Sequence, residues 1–222
     1  MGAGRARVVS EVPEELRAAQ DRLAGPDAFG FIAGARAPRG GRQAAVLILL
    51  GPGAESDELV LVEKHTHLRH HAGQLAFPGG RIEPTDTDPV AAALREAWEE
   101  VGILPDTVEV LGCLPAAHVP SGFDVTSVVG WWKQSSQLSA VDVGEIAAVH
   151  QVPVSVLLNP ANRDTWRHPG GFTGPGFWIG ELYVWGFTAY LLDGLFDLLE
   201  WTRPWDRGRI SKIPPRFLSA KL

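Results

Sequence analysis

The chain of 222 residues has one cysteine, Cys113, one methionine and two tyrosines. A single thiol excludes an internal disulfide framework and a four-cysteine zinc site. Long apolar runs are also missing. The longest, Ala44–Leu50, falls far short of the ~20 residues that cross a bilayer. No apolar stretch follows Arg5 and Arg7, so no secretory leader is expected. Ala6 stands where an N-terminal acylation signal wants Ser or Thr. Positive charge is scarce as well, with 20 Lys and Arg against 26 Asp and Glu and a formal net charge of -6. That excludes the broad basic surface of a nucleic-acid polymer binder. What is present is ordinary: 45% hydrophobic and 21% charged residues, which excludes disorder throughout, collagen and coiled coil. A cytoplasmic chain that needs no membrane is the expectation.

The pattern along the chain alternates strands and helices. Residues 13–24 read as a helix, with Pro13 in the first turn and Gly25-Pro26 as the stop. The Gly-, Pro- and Arg-rich stretch 34–43 reads as a loop. Strands are expected at 44–50, 58–63, 108–113, 126–132 and 146–152, and an extended segment at 177–184. Short and long helices are expected near 154–158 and 186–201. Residues 160–176 hold three Pro and four Gly and read as mostly loop, and the tail 202–222 as a segment that wraps or frays. Strands interleaved with helices predict an α/β domain with a mixed sheet. The expected divisions are an extension over 1–43, a main domain over 44–198 and a tail over 199–222.

One helix carries the chemistry. In Asp86–Ile103, Asp88 suits the N-cap, Pro89 the first position and Gly102 the C-terminal turn. Glu96, Glu99 and Glu100 fall at i, i+3 and i+4, which places three carboxylates on one face. Arg95 relieves Glu99 only in part. A solvated acidic face is the bland alternative. Against it stands the preceding loop, Phe77-Pro78-Gly79-Gly80, whose glycines allow a ligand to approach the backbone closely. A hard divalent cation would turn carboxylate repulsion into coordination, together with substrate phosphate oxygens.

Gly80–Ile103, and above all Arg95-Glu96-Ala97-Trp98-Glu99-Glu100-Val101-Gly102-Ile103, resembles the Nudix box. The family's usual acid six residues after the glycine is here Asp86, and Arg95 lies one residue later than usual, which puts a metal role for Asp86 in doubt. The segment Val60–Gly80, with Leu68, Arg69, His71, Gly73, Gln74, Phe77, Pro78, Gly79 and Gly80, is similar to the coenzyme A pyrophosphatase branch of that family. Later segments, Ser121–Thr126, Val128–Gly130 and Tyr183–Gly186, resemble the same branch. Lys64, His65 and Ser127 depart from it.

The resemblance implies a Nudix-type α/β/α sandwich and hydrolysis of a nucleoside diphosphate linked to another group. In the branch indicated, coenzyme A or an acyl-CoA would give 3′,5′-ADP and 4′-phosphopantetheine. It implies Mg²⁺ or Mn²⁺ held by Glu96, Glu99, Glu100 and the Gly80 carbonyl, with Arg95 orienting Glu99. Glu145 stands where the family's later-loop general base commonly lies, and an exposed acid before a strand is the equal alternative. Lys64, Arg69, Gln74 and Phe77 are candidate substrate contacts, and Phe77 could equally be core. His65, His67 and His70 are expected on the surface, with a histidine zinc site as a weaker reading. The tryptophans of the second half (Trp166, Trp178, Trp185, Trp201, Trp205) are expected in the core or at a homodimer interface. Open alternatives are another nucleotide diphosphate substrate (ADP-ribose, NADH, a nucleotide sugar) and a non-catalytic binding module. Bound cations would reverse the local sign of an acidic site, so the charge of -6 does not exclude a phosphate-rich ligand.

Overall fold

The computed structural model describes residues 10–23, 25, 36–68, 71–134 and 136–218. Its centre is a seven-stranded mixed sheet. β1 (Arg42–Gly51) lies parallel to β6 (Phe123–Trp132), which pairs antiparallel with β5 (Val108–His118). On its other side β1 meets two partners. Its first half pairs with the short β4 (Gly79–Arg81), and its end pairs with β2 (Glu58–Lys64). β2 in turn pairs with β3 (Leu75–Ala76) and β7 (Ile146–Pro153). The split along β1 seats the glycine turn at the sheet's centre rather than at its rim.

β1 shows why the sheet is covered on both faces. Ala45, Leu47 and Leu49 pack on one side, and Ile48 and Leu50 on the other, all fully buried. Such a near-continuous apolar run is what a strand with two covered faces requires. One face receives α3 (Pro89–Val101) through the small residues Ala92, Ala93 and Ala97. The alanines let this helix approach the sheet closely. The other face receives α5 (Gly186–Leu198), which buries Leu191, Leu195 and Phe196. The expected sandwich is therefore the observed architecture.

The ends of α3 follow the sequence signals. Asp88 accepts a hydrogen bond from Ala91 N at 2.8 Å, Pro89 opens the helix, and Gly102 closes it at φ 74°. Other boundaries differ from expectation. The helix expected over 13–24 is broken at Ala19 into α1 (Glu14–Ala18) and α2 (Gln20–Leu23), because Ala19 N bonds to Leu16 O, a tighter three-residue turn. Their anchors Leu16 and Leu23 remain buried, and Leu23 packs over Gly112 of β5.

The larger correction concerns residues 160–176. Instead of loop they supply β8 (Arg163–Arg167) and the start of β9 (Thr173–Ile179). With β10 (Leu182–Val184) and β11 (Ile210–Lys212) these form a second, four-stranded sheet in the order β10-β9-β8-β11. The short α4 (Val154–Leu157) precedes it. The glycines that suggested a loop make room across strands. A Cβ on Gly174 would sit 2.5 Å from the Trp166 ring, and one on Gly176 would sit 2.3 Å from the Tyr183 hydroxyl. Trp166, Tyr183, Ile213 and Phe217 form a buried cluster there. The tail wraps: β11 runs parallel to β8. Among the described residues no helix is long and apolar enough to cross a membrane.

Candidate active site

The glycine turn and α3 are locked together at van der Waals contact. Gly79 has φ 154°, and a Cβ there would meet Ala45 O at 2.4 Å. At Gly80 a Cβ would lie 2.5 Å from the Glu96 carboxylate. Only glycine leaves this carboxylate room beside the strand. Gly79 N donates to Glu100 Oε2 at 3.1 Å. Two of the three glutamates of the helix thus rest against the same turn.

Arg95 organises the outer side. Its Nε and Nη2 donate to both oxygens of Asp86 at 3.0 Å, while Nη1 reaches Glu96 at 3.0 Å and Glu99 at 3.1 Å. Nη2 also donates to the Arg81 carbonyl at 3.0 Å. A planar fork can serve these directions at once, which an ammonium cannot. Asp86 anchors Arg95 and is thereby spoken for as its partner. Its carboxyl is held below the usual range by the hydrogen bonds from Arg95.

Lys64 organises the inner side. Its Nζ lies 2.7 Å from Glu100 and 2.6 Å from Glu145, and both Lys64 and Glu100 are buried. Burial works against the charge on Lys64, but the two carboxylates prevail and raise its pKa. Burial raises the pKa of Glu100 and of Glu96, against the pull of Lys64 and Arg95 respectively. Glu145 precedes β7, and its backbone carbonyl accepts from His65 N at 2.8 Å. The fold therefore brings Glu145 to the helix carboxylates from 45 residues further along the chain than Glu100.

Several expected substrate contacts have other partners. Lys64, a candidate substrate contact, is an ion-pair partner of Glu100 and Glu145. Phe77, for which core and substrate contact are both open in sequence, is 3% exposed and packs in the core with Leu75 and Ile48. Gln74 bonds to His71 Nδ1 at 2.8 Å and to the Phe217 carbonyl at 3.1 Å, which ties the loop to the tail. Arg69 and His70 lie outside the described residues. His65 and His67 lie with ring centres 4.4 Å apart, the rings tilted by 41°. Cys113 is half-buried, and burial pushes its thiol up.

Asp86, Glu96, Glu99, Glu100 and Glu145 face two cations, Arg95 and Lys64. Five carboxylates against two cations leave a formal deficit of three positive charges around one glycine turn. Among the described residues no three acids, histidines or cysteines are already drawn into a ligand set. The donors are all carboxylate and carbonyl oxygens, the set suited to Mg²⁺ or Mn²⁺.

Residues 41–171 match the NUDIX domain family model. An "Uncharacterized Nudix hydrolase NudL" of Escherichia coli O7:K1 is 41% identical over 154 residues, covering 68% of this chain and 79% of the relative. The protein of the same description from Enterobacter sp. strain 638 is 41% identical over 158 residues, with the same coverage. Among solved structures, a Nudix hydrolase from M. smegmatis, RenU, superposes with a TM-score of 0.53 at 17% identity, covering 75% of this chain and 90% of that one. At that identity the likeness speaks for the fold alone.

Proposed function

The chain belongs to the Nudix family, whose hydrolases act on pyrophosphate bonds of nucleoside diphosphate derivatives and generally use a divalent ion such as Mg²⁺ or Mn²⁺, and from that premise we propose that it cleaves the diphosphate of coenzyme A or of an acyl-CoA. The products would be 3′,5′-ADP and (acyl-)4′-phosphopantetheine. The observation that carries the reading is the charge deficit at the Gly79–Gly80 turn. A diphosphate is itself anionic, so it can dock on five carboxylates only if cations dock with it. The segment from Leu68 to Gly80 supports the coenzyme A branch.

Glu96, Glu99, Glu100 and the Gly80 carbonyl would hold the ion or ions. When bound, these would neutralise the diphosphate and lower the pKa of water. The protein's own residues have distinct tasks. Arg95 fixes Glu96 and Glu99 in direction. Gly79 N and Lys64 fix Glu100. Glu145, with a side chain 48% exposed, would take a proton from water and pass it to solvent, and Lys64 couples it to Glu100.

The test is a panel of diphosphates with Mg²⁺ and with Mn²⁺, products separated by chromatography. Release of 4′-phosphopantetheine well above turnover of the other substrates is expected. Robust turnover of ADP-ribose or NADH alone would overturn the coenzyme A assignment.

A further inference from the structure

Next to the acid-rich turn the charge changes sign. Arg81 directly follows Gly80, and its carbonyl is the one that accepts from Arg95. Its side chain leaves by the other face of the sheet. Arg81 pairs with Ala44, and Arg42, two residues before Ala44, pairs with Phe123 of β6. This register puts Arg42, Arg81 and Phe123 on one face at one end of the sheet. The contacts agree: Arg42 Cζ lies 4.2 Å and Arg81 Cζ 5.5 Å from the centre of the Phe123 ring.

Two guanidinium groups on one ring repel each other. Arg42 donates to the Ser121 carbonyl at 3.3 Å. Among the described residues neither arginine pairs with a carboxylate. The buried Asp124 at this end is already engaged, its oxygens accepting from Arg39 N, Gly41 N and His118 Nδ1. Both arginines are exposed, which leaves their forks open to an anion from solvent. Behind them lies an apolar shelf of Ala44, Val46, Val125 and Phe187.

We propose that Arg42 and Arg81, held on the Phe123 ring, bind a phosphomonoester carried on the nucleoside part of the substrate, apart from the diphosphate that is cleaved. The two poles are adjacent in sequence and lie on opposite faces of β4: carboxylates for metal and diphosphate at Gly80, and the arginines at Arg81. Val46 and Phe187, the partly exposed residues behind the arginines, offer the nucleoside body an apolar edge. Planar forks bind a dianionic phosphate by paired charge-assisted hydrogen bonds. The proposal rests on the coenzyme A reading, since the 3′-phosphate of that substrate is such a group. It adds the residues that would select coenzyme A over its 3′-dephospho form.

The experiment compares kcat/KM for coenzyme A and for 3′-dephospho-coenzyme A in the wild type, R42A, R81A and the double variant. Each charged hydrogen-bonding group is worth about a factor of ten, so the ratio should fall about tenfold singly and about a hundredfold in the double variant. The loss should appear in KM, and R81K should recover part of it. A ratio within about twofold of the wild type in the double variant would overturn the proposal. A second measurement is independent of turnover: calorimetric binding of adenosine 3′,5′-bisphosphate against 5′-AMP. Tighter binding of the bisphosphate, lost in the double variant, is expected. Equal binding of the two nucleotides overturns the subsite. If coenzyme A is not hydrolysed while the bisphosphate preference stands and depends on both arginines, the coenzyme A reading fails and the subsite survives.

Discussion

Two ionic clusters among the described residues are built on opposite plans. In the second sheet, Arg163 of β8 is 2% exposed and pairs with Asp193 of α5. Its guanidinium lies 4.0 Å from the Phe177 ring and 4.5 Å from Trp205, and Arg207 approaches the other Asp193 oxygen at 3.8 Å. The neighbouring Asp164 accepts from the Tyr183 hydroxyl at 2.6 Å and Trp178 Nε1 at 2.8 Å. Burial, and then Asp164, pushes the Tyr183 phenol far above its usual range. Two acids, Asp164 and Asp193, meet two cations, Arg163 and Arg207, so the formal charges balance although Arg163 Nε has no hydrogen-bond partner among the described residues, and the cluster ties α5, β8 and the tail together. At the glycine turn five carboxylates meet two cations. A balanced cluster stabilises a fold without needing anything more. An unbalanced one reserves its surplus for something the chain does not itself contain.

The sharpest way to break this contrast is to remove one charge from each cluster. Glu100→Gln should lower kcat by about a thousandfold, equivalent to roughly 4 kcal/mol of barrier, with little change in Tm. Lys64 keeps Glu145 as a partner, and the acid surplus falls. Asp193→Asn should do the reverse. It strands a buried guanidinium, and breaking one side of such a pair costs about 3–5 kcal/mol. Denaturant unfolding should show that loss, while kcat of the folded fraction stays near that of the wild type. If both variants lost stability and activity in equal proportion, the two clusters would not differ in kind.

Arg95→Lys sharpens the comparison within the acidic cluster. The charge is kept, so a purely electrostatic role predicts little change. The geometry requires a fork that joins Asp86, Glu96 and Glu99. A fall of about ten- to a hundredfold in kcat is expected, with a higher Mg²⁺ concentration at half-maximal rate. A shift in kcat alone, with unchanged Mg²⁺ dependence, would remove Arg95 from the positioning of the metal ligands.

The unbalanced cluster was far more legible in sequence than the balanced one. Asp88, Pro89 and Gly102 mark α3 because caps are local devices, and Glu96, Glu99 and Glu100 share a face by helical spacing alone. Glu145 was visible as a candidate only by resemblance, since no local pattern tells a loop acid which lysine it will meet. Phe77 reads equally as core and as substrate contact because sequence shows residue type and not burial. The second sheet was missed for a related reason. Gly174 and Gly176 are turn signals locally, yet they serve as clearances for Trp166 and Tyr183 across the strands. The Arg42–Arg81–Phe123 cluster depends on the register of three strands, which one sequence does not state.

Asp124 offers the smallest effect and the finest discrimination. It lies at the active-site end of the sheet, yet it is built on the balanced plan, with its charge satisfied by Arg39 N, Gly41 N and His118. The hydrogen bond from His118, opposed by burial and aided by the two backbone donors, holds its carboxyl below the usual range. A carboxyl depressed in the folded state stabilises the fold above its unfolded pKa of about 3.9, and that stability is lost as pH falls through the folded value. Asp124→Asn should therefore lower Tm at pH 6, and the gap from the wild type should narrow only below about pH 4. A gap that stayed constant down to about pH 2.5 would mean that the ionised carboxylate contributes nothing there. A closing gap would place Asp124 with Arg163 and Asp193, as an acid whose charge is spent on the fold, one residue along β6 from the ring that carries the two arginines.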